Sequence, residues 1–423
     1  MSATDEFARI RSEGFDEELT IERIERMRAR IGFPSPRVNG WNLTASEDSI
    51  RQFAHAVGDD NALWCDPEYA AGTRWRGVVA PPSYVRTMGI DTAPPTPARV
   101  REQSEGAFRG IHQVETGGSW RFYDAVRPGD RIYRERWIDQ VLEKQTRYGG
   151  GLSALIVWRE LYGNHRGDVV AVHDQTFMGT DRRRTADNRT MKSVPEPDWN
   201  EERFDQLEQL YEAERRRGAK PLWWEDVRVG DVLPLRVKGP LLLTDIMAAH
   251  MGMGWGGYAP GTMRLAHMTR KRWPALYVKG RYGVPDVAQR LHWDEEWARE
   301  LGSPRSYDYG RMRVNWLAHL VTDWAGDDAW LDQLDVRVTG FNYHGDVQYC
   351  EGTVTARNEE AASATIELHC RNQRDEITAG GSAVVLLPSR ATGAAVVTAA
   401  PMDLRRRLVS RATPQLWTEG DQY

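Results

Sequence analysis

Apolar residues recur along this chain with a helical period first and a strand period afterwards, and that order of periods comes twice. Ile21, Ile24, Met27 and Ile31 stand at three- and four-residue steps within residues 17–32, a single apolar stripe on a charged helix. Residues 42–50 follow as a strand end and helix cap, with Ser46 and Asp48 placed to cap a helix through Ile50, Phe53 and Ala54. Gly58-Asp-Asp-Asn breaks that helix. From Trp120 the period falls to two. Strands are predicted over residues 120–123, 131–139, 145–148, 154–162 and 169–176, divided by turns such as Arg127-Pro-Gly-Asp and Asn164-His-Arg-Gly-Asp.

Residues 181–220 interrupt the pattern with a charged, aromatic-poor stretch that holds one amphipathic helix near 204–216. It reads as a long surface connection. The first plan then returns. Trp223-Trp-Glu-Asp-Val introduces a strand, Thr244 opens a helix, and a longer helix is predicted over 310–324 with Val314, Leu317, Leu320 and Val321 on one face. Strands follow over 334–343, 347–357, 364–372 and 382–387. The turns correspond as well: Pro128-Gly129-Asp130 matches His344-Gly345-Asp346, and the turn at Asn164 matches the one at Asn372. A tandem repeat of an α+β unit, helices first and antiparallel sheet after, accounts for this order. The predicted boundaries are 1–180 for the first unit, 181–220 for the connection, 221–392 for the second unit and 393–423 for a tail.

Composition narrows the class. With 40% hydrophobic and 28% charged residues the chain is that of a globular protein, and 423 residues suit two domains. No run approaches the roughly 20 apolar residues that span a bilayer, and the acidic, polar start lacks the form of a secretory signal. A net charge of −5 with signs mixed gives no broad basic face for nucleic acid or an anionic membrane. A cytoplasmic protein is therefore expected. Cys65, Cys350 and Cys370, odd in number and without a CxxC pair, point to reduced thiols rather than disulfides or a metal site, and no cofactor is implied. Seventeen tryptophans suggest large aromatic cores or a wall for a bulky apolar ligand.

Two stretches carry a family resemblance. Residues 53–70, with Gly58-Asp-Asp-Asn-Ala-Leu-Trp-Cys-Asp-Pro, resemble the signature Gly-Asp-x-Asn-Pro-x-His-x-Asp-Pro of the MaoC-like dehydratases (hydratase 2). Leu291-His-Trp-Asp resembles the back part of the same signature. Ala80-Pro-Pro-Ser-Tyr and Tyr309-Gly310 stand where that family begins its central helix. The resemblance covers about 20–180 and 222–390. It implies a tandem or double hotdog, each half an antiparallel sheet wrapped around a central helix, paired side by side. In the first half Asp59 and Asn61 keep their places, but Trp64 stands where the family has histidine. Tryptophan is a donor only and cannot accept a proton, so this half is degenerate. In the second half His292 is present with Asp294 behind it, while Asp286 lies six residues ahead instead of five. An inserted segment, 252–283, precedes it.

The resemblance implies reversible hydration of a 2-enoyl thioester, carried by coenzyme A or an acyl carrier protein, in the second half. A neutral histidine, His292, suits general-base work on water, and Asp286 is the candidate carboxyl to orient it. Pro285 disfavours helix at Val284, so a loop is predicted to turn the two side chains together. The N-terminus of the helix at Gly310 offers backbone N–H groups to an enolate oxygen. Each residue has a plainer reading: His292 as a packed histidine beside Trp293, Asp286 as a loop or cap residue, Asp59 as a turn former. His250, His319 and His344 read as packed or hydrogen-bonded, and Lys271, Arg272 and Arg281 as solvated surface. The function expected is a hydro-lyase, with a bulky acyl group suggested by Trp64. The alternatives are a thioesterase on the same fold and a non-catalytic acyl-thioester-binding subunit. A homodimer is compatible with the exposed face of such a pair.

Overall fold

Ser46 accepts from Ser49 N–H while the Ser49 hydroxyl answers the Ser46 N–H, a reciprocal cap that starts helix α2 (Glu47–Ala56) where the apolar period begins. It is preceded by α1 (Ile21–Arg28), capped by Thr20. The protein was analysed as a computed structural model, which describes residues 18–36, 39–109, 111–146, 150–181, 194–254, 263–272 and 274–411. Parts of the predicted connection (182–193), of the inserted segment (255–262) and of the tail (412–423), and Glu17 of the first helix, lie outside the described residues.

Among the described residues ten strands make one continuous sheet. The first half supplies β1 (Ile90–Asp91), β2 (His112–Phe122), β3 (Ile132–Thr146), β4 (Gly151–Asn164) and β5 (Val169–Thr180). The second supplies β6 (Arg236–Lys238), β9 (Trp330–Val338), β10 (Gln348–Asn358), β11 (Ser363–Asn372) and β12 (Ile377–Leu386). Their order is β1-β3-β4-β5-β2-β9-β12-β11-β10-β6, antiparallel except for the β1–β3 pair. A separate two-stranded hairpin joins β7 (Tyr277–Lys279) to β8 (Pro285–Val287). The strand expected at 145–148 is the end of β3, which runs on to Thr146; residues 147–149 lie outside the described set.

The halves meet where β2 pairs antiparallel with β9, from Gly117 opposite Arg337 to Arg121 opposite Gln333. Gly117 is required there. Its φ is +113°, and a Cβ would stand 2.0 Å from the carbonyl oxygen of Val336. Ser119 and Arg121 both reach Asp335 across the seam. The turns matched in sequence are also clasped alike. Arg166 binds Asp130 in the first half, and Arg374 binds Asp346 through two 2.7 Å bonds in the second. Helix α2 packs against α4 (Leu243–Gly252), its counterpart in the repeat. The connecting helix α3 (Glu201–Ala213) buries Leu207 against Val237 and Val347, with Tyr211 holding both backbone groups of Gly239.

The two halves differ at their centres. Helix α6 (Gly310–Ala325) is buried on almost every side, not on one face as its period suggested, because strands β2, β9, β10, β11 and β12 and the first-half turn at residues 82–87 all pack against it. Trp316, Leu317, Leu320 and Trp324 join Trp64, Trp120 and Trp330 in a core that crosses the seam. Among the described residues the first half has no such helix. Where Ala80-Pro-Pro-Ser-Tyr was expected to open one, a 3₁₀ turn runs only from Pro82 to Thr87. Gly89 at φ +117° and the run Pro94-Pro-Thr-Pro97 keep the chain extended beyond it. The expectation of a central helix in each half is thus corrected: one helix serves both.

Candidate active site

Residues beside the N-terminus of α6 form a cavity of about 660 Å³ that crosses the seam. Its second-half wall includes Gln289, His292, Tyr309, Gly310 and Arg311; its first-half wall includes Glu115, Arg136, Trp158, Gln175 and Phe177. Tyr309 is the N-cap of α6, and its side chain makes no capping bond to the helix. The positive end of the helix dipole therefore stands at the cavity, with Gly310 and Arg311 of the first turn on its wall.

His292 arrives on a 3₁₀ turn, Ala288–His292, that Arg290 fastens in place. The Arg290 guanidinium is buried and donates to the carbonyls of Val278 and Lys279 on β7, each at 3.1 Å, and to Asp294 at 3.1 Å. Asp294, from the signature, caps the next helix, α5 (Glu295–Glu300), by accepting from Trp297 N–H. The His292 Nδ1 lies 2.8 Å from the carbonyl oxygen of Tyr307. A carbonyl can only accept, so Nδ1 carries the proton and Nε2 keeps its lone pair. The ring packs against Tyr309 at 4.1 Å between centroids, and His344 Nε2 is 2.9 Å from the His292 carbonyl. Burial pushes the imidazole down to about 3; the bond to Tyr307 opposes this, while Arg311, His250 and His344 add to it. His292 is thus neutral at ordinary pH. His250 bonds Tyr309 Oη at 2.9 Å and is itself held down to about 4 by burial and Arg311.

The structure does not bring Asp286 to His292. Pro285–Val287 extends as β8 instead of looping inward, so the carboxylate is exposed and accepts from the N–H of Val287 at 2.7 Å. It is not among the residues lining the cavity. Two other carboxyls are. Asp308 accepts from Arg313 at 2.9 and 3.0 Å and from Asn342 at 3.2 Å. Burial pushes it up to about 6 in spite of those donors. Glu115 is held by Arg86 at 2.9 Å, with Arg311 at 3.6 Å; burial favours its neutral form, but the two arginines bring it down to about 2. Neither was singled out from the sequence. Asp308 stands two residues before the helix start, a spacing that carries no signal without the fold. Lys271, Arg272 and Arg281 are exposed and none lines the cavity.

The degenerate motif sits elsewhere, against the far end of α6. Asp59 accepts from Asn61 N–H at 3.0 Å, the expected turn, and lies 3.5 Å from His319. His319 also meets Asp323 at 2.9 Å and Lys238 Nζ at 2.9 Å, and Asn61 reaches Asp323 at 3.3 Å. Asp59, Asp60 and His319 are close enough to share a cation. The Arg236 guanidinium, 2.6 Å from Asp323, already supplies positive charge to that cluster, while burial lowers the pKa of Lys238 beside His319. Trp64 is buried in the seam core. These residues join the halves and are not among those lining the cavity at the start of α6.

A long helix clasped by an antiparallel sheet, with a cavity at its N-terminus, defines a hotdog-type α+β protein. Residues 29–173 match the family described as "FAS1-like, dehydratase domain region". A probable enoyl-CoA hydratase alpha subunit from Thermomonospora curvata is 31% identical over 133 residues, 29% of this chain and 40% of that protein. A UPF0336 protein from Streptomyces avermitilis is 29% identical over 94 residues, 22% of this chain and 60% of that one. The chain thus spans less than two thirds of either relative. In fold it is similar to a solved MaoC-like dehydratase, with a TM-score of 0.58 at 17% identity, over 86% of this chain and 99% of that one. The chain therefore shares the fold of that dehydratase, and residues 29–173 carry the dehydratase-region match. No helix among the described residues is long and apolar enough to cross a membrane.

Proposed function

We propose that this protein adds water reversibly to a 2-enoyl thioester in the cavity at the start of α6. The observation that carries the reading is the meeting, on one cavity, of a neutral histidine with its lone pair fixed on Nε2 and the N-terminus of a long helix whose N-cap side chain does not cap it. The thioester carbonyl lies at the N–H groups of Gly310 and Arg311. Water's oxygen bonds to C3 as His292 Nε2 takes its proton, and the negative charge moves to the thioester oxygen, where the helix N-terminus stabilises it. As the enolate collapses, a proton returns from the imidazolium to C2, so one water is added and the histidine is regenerated. The family match and the hydratase relative support the same class of reaction. The missing first-half helix supports a double hotdog whose first half leaves room for a bulky acyl group.

One observation favours a second reading, an acyl-thioester binder without turnover. Among the described residues no carboxylate is bonded to His292, and its basicity is pressed far down. The test is absorbance of the enoyl thioester with a panel of 2-enoyl-CoA substrates, for wild type, His292→Ala and Asp308→Asn. Hydration that falls at least about a hundredfold in His292→Ala supports the proposal. Release of free thiol instead of 3-hydroxyacyl product makes it a thioesterase. Saturable binding with neither product leaves the binder.

A further inference from the structure

The cavity does not end at the reacting centre. It continues across the seam onto the sheet of the first half, where β2, β3, β4 and β5 all supply lining residues. An apolar chain would call for an apolar floor there, and Trp158 and Phe177 provide part of one. Between them stands Gln175, paired across the strands with Trp158 on β4 and Gly118 on β2. Its side chain is 1% exposed and lines the cavity, and its Oε1 has no hydrogen-bond partner among the described residues. A buried amide oxygen in that state costs free energy that a leucine of the same size would not. Water can satisfy it while the cavity is empty. A substrate chain that displaces the water must replace the bond or lose affinity.

The neighbouring charge restricts what kind of group fits. Arg136 lies 3.6 Å over the Trp158 ring and 3.3 Å from Glu160, and Glu115 is held between Arg86 and Arg311. The cations at this end therefore already face carboxylates of the protein. An amide, by contrast, can accept from a hydroxyl or, turned over, donate to a carbonyl. Gln175 is one strand beyond β2, whose residue Glu115 shares the cavity wall with Gly310. In register it stands two residues along β5 from Phe177, the partner of Glu115, which with the one-strand offset puts it roughly 8 Å from Glu115, where an acyl chain beyond C3 would run from a thioester at Gly310.

We propose that the first-half wall is a specificity subsite in which Gln175 recognises a neutral oxygen function, a hydroxyl or ketone, on the substrate's acyl chain beyond the reacting double bond. This rests on the cavity being the thioester site proposed above. Gln289, also on the cavity wall and also with an unpartnered Oε1, gives a second polar contact nearer His292.

The test compares 2-hexenoyl-CoA with its 4-, 5- and 6-hydroxy counterparts in hydration. In parallel, hexanoyl-CoA and the matching hydroxyhexanoyl-CoA thioesters are compared in calorimetric binding. Wild type is expected to favour at least one hydroxylated thioester by about tenfold or more, and Gln175→Leu to erase that preference. Gln175→Leu should also melt at or above the wild-type temperature, since it removes an unsatisfied buried amide. A variant that melts lower would show the amide held by the protein itself and would overturn the proposal. Equal or better handling of the alkyl thioester by wild type overturns it too, while leaving hydration standing. A hydroxyl preference in binding without turnover supports the subsite and removes the hydratase reading. Failure to bind any of the thioesters overturns the subsite.

Discussion

Gly117→Ala strikes the seam where the two halves become one sheet. The added Cβ would stand 2.0 Å from Val336 O, and 2.9 Å from both Val336 C and Arg337 Cα. Carbon and carbonyl oxygen in ordinary close contact stay about 3.3 Å apart, so the overlap is about 1.3 Å. Every one of those atoms is backbone, so no rotamer change relieves it. The variant also forces an alanine to φ +113°, a penalty of about 1–2 kcal/mol. Gly129 isolates that second effect. Its φ is +90°, and a Cβ there would meet nothing within 4 Å. Gly129→Ala should therefore cost about 1–2 kcal/mol. Gly117→Ala should cost that and a further overpacking loss of about 1–3, for about 2–5 kcal/mol in all. Urea unfolding followed by tryptophan fluorescence and circular dichroism measures both, with the slopes compared to check that the transitions remain alike. Agreement of the two losses within about 0.5 kcal/mol would refute the close pairing of β2 with β9. Gly117→Ala should in addition weaken thioester binding, because Glu115 and Thr116 next to it line the cavity. Gly129→Ala should not.

Other consequences are open to direct measurement. Asp286→Asn should leave hydration within about threefold of wild type, as expected of an exposed side chain; a loss of a hundredfold would put the carboxyl back in the reaction. His292 should stay neutral down to about pH 4, its pKa lying near 3, so a resonance assigned to it by His292→Gln that titrates near 6.5 contradicts the burial argument. Glu115, lowered from 4.5 to about 2, contributes about 3 kcal/mol that is complete above pH 4.5 and lost as pH falls toward 2. Arg86→Met should flatten that part of the stability profile, and an unchanged acid limb would place the effect elsewhere. Cys65 is pushed up to about 12, chiefly by burial with Asp59 and Asp60 adding, and Cys350 and Cys370 are fully buried. None of the three should react with a thiol reagent at pH 8 until the protein is unfolded; one fast native thiol would count against this packing.

The sequence by itself determined what depends on neighbours along the chain. The Ser46 cap, the span of α6, most strands and the paired turns were legible because period and turn chemistry are local. So was the matching of the halves, since Asp130 with Arg166 and Asp346 with Arg374 repeat one clasp. His292 was legible through its signature, and Asp59 as a turn former through its own backbone bond. What lies at the cavity was decided by tertiary structure. Asp286 and His292 are six residues apart in sequence, yet strand pairing with β7 turns one outward while Tyr307, fifteen residues on, orients the other. The first-half helix failed for a reason also present in the sequence, its prolines, but their weight against a family pattern shows only once the sheet and α6 have taken the space. Asp308, Glu115 and Gln175 carry no motif. They come to line one cavity because β2 meets β9 and brings two walls, distant in the chain, around one helix terminus. A side chain's chemistry there depends on burial and on which charges face it, and neither is fixed until the seam closes.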